Sequence, residues 1–143
     1  MAATAQASRT IPAPPSAVWR GLTTREGMKA YMVGADVETD WRVGGPIVMR
    51  GEYQGKAFED RGEVRSFEPE RRLSYTHASS AAPGQTHLVT IALSPRQGGT
   101  EGTVTQEPGQ GVDAAAEEKN RATYEKTWAS MLENLEKAVV HQS

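Results

Sequence analysis

Residues 113–140 read DAAAEEKNRATYEKTWASMLENLEKAVV, a stretch with neither proline nor glycine. Tyr124, Trp128, Met131, Leu135 and Val139 follow one another at steps of four, three, four and four, which puts them on one face of an α-helix. Glu117, Glu118, Lys119, Arg121, Lys126 and Glu133 fall mostly off that stripe, and Asp113 is placed to cap the first turn. At about 1.5 Å per residue the helix is roughly 40 Å long. An amphipathic helix of that length needs a broad apolar surface to lie on.

Working back from the helix, the chain supplies such a surface. Thr100 to Gln106 alternates, with Gly102, Val104 and Gln106 on one face; Thr86 to Leu93 does the same with His87, Val89, Ile91 and Leu93. Ser94 to Gly99 reads as the turn between them. Arg72 to His77 aligns Leu73, Tyr75 and His77, and the polar segment 78–86 follows as a loop. Phe58 to Phe67 is a longer strand in which Gly62 and Val64 share a parity that Phe67 breaks. A bulge near Arg65-Ser66 restores the phase and bends the sheet. Ile47 to Tyr53 and Ala35 to Trp41 form a hairpin across Val43-Gly44-Gly45-Pro46, with a further turn expected at Gln54-Gly55-Lys56. Two short helices precede them. Pro15 opens the first, which buries Val18, Trp19 and Leu22; Thr24 caps the second, which buries Met28, Tyr31 and Met32 and ends at Gly34. Residues 4–11 form the first strand, with Arg9 and Ile11 on one face. The expected fold class is α+β: a curved antiparallel sheet of about seven strands wrapped round a long C-terminal helix, with two short helices after strand one.

Composition narrows the function classes. The 143 residues fit one domain, with its core at about 9–140 and residues 1–3 and 141–143 disordered. A net charge of −2 gives no electrostatic reason for nucleic acid or an anionic membrane as partner. The absence of cysteine removes thiol nucleophiles, disulfides and Cys-based zinc sites and fits a cytoplasmic protein. Neither a signal peptide nor a membrane span is visible.

The segments RTIPAPPSAVWRGLTT (9–24), WRVGGPIVMRG (41–51) and GEVRSFEPERRLSYTH (62–77), with a Trp in the last helix, resemble the family of homologues of the activator of the heat-shock protein 90 ATPase. That family lies in the START-like (SRPBCC), helix-grip superfamily, beside polyketide cyclases and birch-pollen-allergen-like proteins. The resemblance spans roughly residues 9 to 138. It is most specific at Trp41 to Gly45 and at Glu68 to Leu73. It implies a seven-stranded sheet gripping the last helix, with a cavity between them. His77 stands where many relatives carry an aromatic residue, and Gln106 where many carry His, so the polar groups of the cavity are individual to this chain. The chain leaves no room for the separate N-terminal domain of the eukaryotic co-chaperone, so a chaperone partner is not the first expectation.

No motif for nucleophilic catalysis or phosphate binding is present. By parity His77 and His87 both face inward, as a polar pair that binds a ligand or moves protons, or as histidines bonded to a neighbour. Two histidines without a third ligand do not make a metal site, and neither a metal nor a cofactor is expected. Glu52, Glu59, Asp60, Glu63 and Glu68 read as a solvated convex face. The residues expected to line the cavity are Trp19, Tyr31, Trp41, Tyr53, Tyr75, His77, Gln106 and Trp128, serving a small hydrophobic or aromatic ligand. The alternatives are a cyclase- or hydrolase-type enzyme using the same cavity, with His77 or Tyr75 as acid or base, and a protein-interaction module. A His77 within reach of Tyr75 or Gln106 keeps the enzyme reading; a His77 turned to solvent ends it. A homodimer is a fair expectation for a soluble domain.

Overall fold

The computed structural model describes residues 4–32, 35–53, 55–78, 84–109 and 111–141. In chain order the elements are β1 (Ala5–Ile11), α1 (Pro15–Thr23), α2 (Arg25–Tyr31), β2 (Asp36–Glu38), β3 (Pro46–Tyr53), β4 (Lys56–Glu68), β5 (Arg72–His77), β6 (His87–Arg96), β7 (Gly99–Pro108) and α3 (Ala114–His141). The strands form one antiparallel sheet of order β1-β7-β6-β5-β4-β3-β2. This is the α+β helix-grip architecture expected from the sequence, with α3 laid across the sheet.

Local chemistry explains the element ends. Pro15 occupies the first helical position of α1, where a missing N–H costs nothing. The Thr24 hydroxyl accepts from the Gly27 amide and caps α2. Asp113 accepts from the Ala116 amide at 3.0 Å and starts α3. The register of β4 against β5 shifts between Val64 and Ser66, the bulge that the parity break at Phe67 calls for. Gly62 sits beside it because a Cβ there would run into the Thr76 carbonyl.

Three local expectations are corrected. β2 stops at Glu38, and Trp41 does not continue it. Trp41 has φ of +57°, an outlier for a bulky residue. The indole N–H donates to the Thr23 carbonyl at 2.9 Å, and its ring stacks on Phe67 at 5.5 Å, so tertiary contacts hold the strained backbone in place. The β6–β7 turn is tighter than Ser94 to Gly99, because the strands pair out to Arg96 and Gly99. Helix α3 runs through His141 instead of fraying before it. Gly34, Gln54 and residues 79–83, where a helix stop, a turn and a loop are expected, lie outside the described residues, as do residues 1–3, 142 and 143.

The core lies between α3, α1, α2 and the concave face. Leu132, Leu135 and Val139 are buried with Ile11, Val18, Leu22, Ile91 and Val104. Leu132 joins the stripe that the four-three spacing had drawn without it, as the step of four from Trp128 would allow.

Candidate functional site

The residues along α3 meet the sheet in order. Val139 and Leu135 lie against Gly21 of α1, where a Cβ would come within 2.7 Å of Val139. Glu136 bonds Arg9 of β1 at 2.7 Å. Leu132 covers Gly102 of β7. Up to this point the helix is packed down. One turn earlier the packing opens. Trp128 Nε1–H donates to Gln106 Oε1 at 2.8 Å, and beyond that bond lies a cavity of about 270 Å3, partly open to solvent. Its walls are Met32, Ala35, Met49, Phe58, Val89, Tyr124, Thr127, Trp128 and Met131, and its polar groups are Asp60, Tyr75, His77 and Gln106.

Of the residues expected from the sequence, Tyr75, His77, Gln106 and Trp128 come together round this space. Trp19 and Trp41 do not line it: both pack on Phe67, at 5.2 and 5.5 Å between ring centres. Tyr31 is sealed in the core, its hydroxyl donating to the Leu22 carbonyl at 3.2 Å, and burial pushes its phenol well up. The side chain of Tyr53 lies outside the described residues.

Asp60 corrects the reading of β4 as an acidic convex strand. It shares the inward parity of Phe58, Gly62 and Val64, and its side chain is only 15% exposed. Asp60 Oδ2 lies 3.0 Å from His77 Nε2. A carboxylate so placed fixes the ring and favours the tautomer protonated at Nε2, leaving Nδ1 as the basic nitrogen. His77 is therefore neither bonded to Tyr75 or Gln106 nor simply turned to solvent. Glu59, in contrast, does point out. Arg61 and Arg50 hold it below the usual carboxylate range.

Tyr75 is 2% exposed, and burial pushes its phenol up, so at neutral pH it is a hydrogen-bond donor. Every sealed side-chain polar atom among the described residues has a partner. The Tyr75 hydroxyl has none among them, so what it meets is the cavity. Gln106 spends its carbonyl on Trp128, which turns its NH2 group away from the indole.

A second histidine–carboxylate pair borders the first. His77 and His87 are register partners on β5 and β6, as the inward parity requires, but each takes its own acid. His87 Nε2 lies 2.8 Å from Oε1 of Glu117, which is 5% exposed, and the Tyr124 hydroxyl donates to Oε2 at 3.3 Å. The Tyr124 ring sits edge-on to His87 at 5.7 Å. Burial and the adjacent carboxylate raise the Tyr124 phenol. Glu117 escaped the sequence reading because a first-turn glutamate is ordinarily solvated. The group ties the start of α3 to β6 and so braces the cavity wall that Tyr124 forms. Among the described residues no cluster of three or more His, Cys, Asp or Glu side chains is arranged as metal ligands would be.

Comparison with known proteins places this geometry. The family model described as "Activator of Hsp90 ATPase homolog 1-like protein" matches residues 12–140. The solution structure of ChR145 from Cytophaga hutchinsonii is similar at 35% identity, covering 97% of this chain and 94% of that one, with a TM-score of 0.77. The crystal structure of NE0264 from Nitrosomonas europaea is similar at 21% identity, covering 98% and 96%, with a TM-score of 0.79. CV1439 from Chromobacterium violaceum is similar at 24% identity, covering 95% and 96%, with a TM-score of 0.77. At those last two identities the likeness speaks for the fold alone. No curated protein matches the chain.

Proposed function

The chain belongs to the family of Hsp90 ATPase activator homologue 1-like proteins, and from that premise we propose that it binds a small hydrophobic or aromatic molecule between the sheet and α3. The observation that carries this reading is the cavity itself, with apolar walls and a few convergent polar groups. Its volume of about 270 Å3 lies just under the roughly 300–1,000 Å3 of drug-sized ligand sites. A molecule of one or two rings suits it. Its three methionines, Met32, Met49 and Met131, are side chains that adapt to ligand shape. The protein-interaction reading needs a contiguous exposed apolar patch. Among the described large hydrophobic residues only Val43 and Val140 are exposed, and they are far apart in the sequence. Among the described residues no helix is long and apolar enough to cross a membrane.

The test is a thermal-shift screen against flavonoids, fatty acids and aromatic acids, with nucleotides as controls. A ligand at 100 times its Kd stabilises the fold by about 2.7 kcal/mol, a shift of several degrees at this size. The expected result is a response to aromatic compounds that Trp128→Phe weakens and Trp41→Phe leaves intact. A panel without any response overturns the reading.

A further inference from the structure

Two polar features of the cavity go beyond what binding an apolar molecule requires. One is His77, held at Nε2 by Asp60 and with no partner at Nδ1 among the described residues. The other is the Tyr75 hydroxyl, almost wholly buried and without a hydrogen-bond partner among the described residues, on a side chain that lines the cavity. They lie two residues apart on one face of β5, so their Cα atoms are about 7 Å apart. A basic nitrogen and a neutral O–H donor on two side chains that line one cavity are the two groups that removing a proton beside a carbonyl demands.

We propose that the cavity catalyses enolisation of a small ketone with an aromatic ring next to its α-carbon: His77 takes the proton from the α-carbon while Tyr75 holds the carbonyl oxygen. This rests on the cavity-binding reading above. In the forward step the α C–H bond breaks and its proton moves to Nδ1. The electron pair shifts onto the carbonyl oxygen as an enolate, which accepts a hydrogen bond from the Tyr75 O–H. In the reverse step the imidazolium returns a proton to carbon. Nothing is oxidised or reduced and no co-reactant is consumed. His77 is 30% exposed, so its ring proton exchanges with water between the two steps. Asp60 acts through His77 as a positioning residue: its carboxylate accepts from Nε2–H and keeps the lone pair on Nδ1. Gln106 has its carbonyl tied to Trp128, which leaves an N–H donor for a second ligand oxygen.

The test uses the full chain and β-tetralone, a bicyclic ketone with activated α-hydrogens. Binding is read by quenching of tryptophan fluorescence, and exchange by loss of the α-proton NMR signal in deuterated buffer. The expected result is saturable exchange above the buffer rate. His77→Gln lowers it about 100-fold or more, and Tyr75→Phe lowers it by a similar factor. Both variants still bind the ketone. Asp60→Asn offers Nε2 an N–H in place of a carboxylate and so moves the ring proton to Nδ1. It lowers kcat at least about 10-fold with KM unchanged, a split that a merely structural role would not give. Should Asp60→Asn unfold the protein, the circular dichroism spectrum reports it and His77→Gln carries the test. If β-tetralone binds but exchanges at the buffer rate, or if His77→Gln exchanges as fast as the parent, the proton-transfer inference is overturned and the binding reading stands. If β-tetralone does not bind, the enolisation inference falls by itself, and the binding reading falls with it only if the thermal-shift panel also gives no response.

Discussion

The two halves of α3 face the same sheet and differ in what they do with it. From Leu132 to Val139 the helix is packed tightly enough that a methyl group added at Gly21 would collide with Val139. From Tyr124 to Met131 it borders open space, and its hydrogen bonds to the sheet there run from Trp128 to Gln106 and from the Gln6 amide to Glu125, with the Glu117–His87 pair two turns earlier. The difference follows from the residues opposite. The closed half meets Gly102 and Gly21, which let backbones approach, whereas the open half meets Gln106, Tyr75 and His77, whose length and polarity hold the layers apart. A fold that filled both halves would be more stable and could hold nothing.

The comparison is sharpest in a pair of variants on successive turns of the helix. Leu135→Ala removes a side chain that is 1% exposed and leaves a void that the closed half cannot refill; the expected cost is about 2–5 kcal/mol. Met131→Ala removes a side chain that already borders empty space, and its expected cost is about 1 kcal/mol, with little beyond lost transfer energy. Urea unfolding at constant m-value reads both. Equal losses would mean that the two halves are packed alike and that the contrast is false.

A smaller effect concerns the rim. Arg25 of α2 holds Asp36, the residue after the cavity-lining Ala35, through two side-chain hydrogen bonds. The Arg25 bond holds the Asp36 carboxyl below its ordinary value, and the guanidinium is correspondingly raised. A depressed carboxylate contributes stability above its unfolded pKa and loses it as pH falls through the folded one. Arg25→Met should therefore be slightly less stable than the parent near neutral pH, and the gap should close in acid. Solvent screening keeps it small. A gap that persists unchanged at low pH would show that the pair does not brace the rim electrostatically.

The sequence carries the frame more readily than the site, for physical reasons that particular residues show. Strand parity and helix spacing are local. They place α3, the seven strands and even the bulge after Val64, because Phe67 falls out of step. Parity also held the clue to Asp60, two residues before Gly62, but an acid among other acids reads as solvated until its partner is known. The Glu117–His87 contact joins residues 30 apart, and nothing local announces it. The aromatic residues are sorted by tertiary geometry alone. Trp19 and Trp41 close on Phe67 while Trp128 opens on the cavity, and all three are simply tryptophans in the sequence. The strained turn at Trp41 defeats a strand assignment because the alternation of Val37, Thr39 and Trp41 continues past the point where the pairing with β3 stops.

The most direct measurement uses the methionine methyl groups as reporters. Met32, Met49 and Met131 line the cavity, and Met28, 2% exposed, sits in the closed core. With methyl-labelled methionine, titration with a small aromatic ligand from the thermal-shift screen should move the three cavity signals together along one saturation curve and leave Met28 in place. If Met28 moves as far as the others, or if the three cavity methyls stay still while the ligand binds, the ligand lies elsewhere and the open half of the helix is not its site.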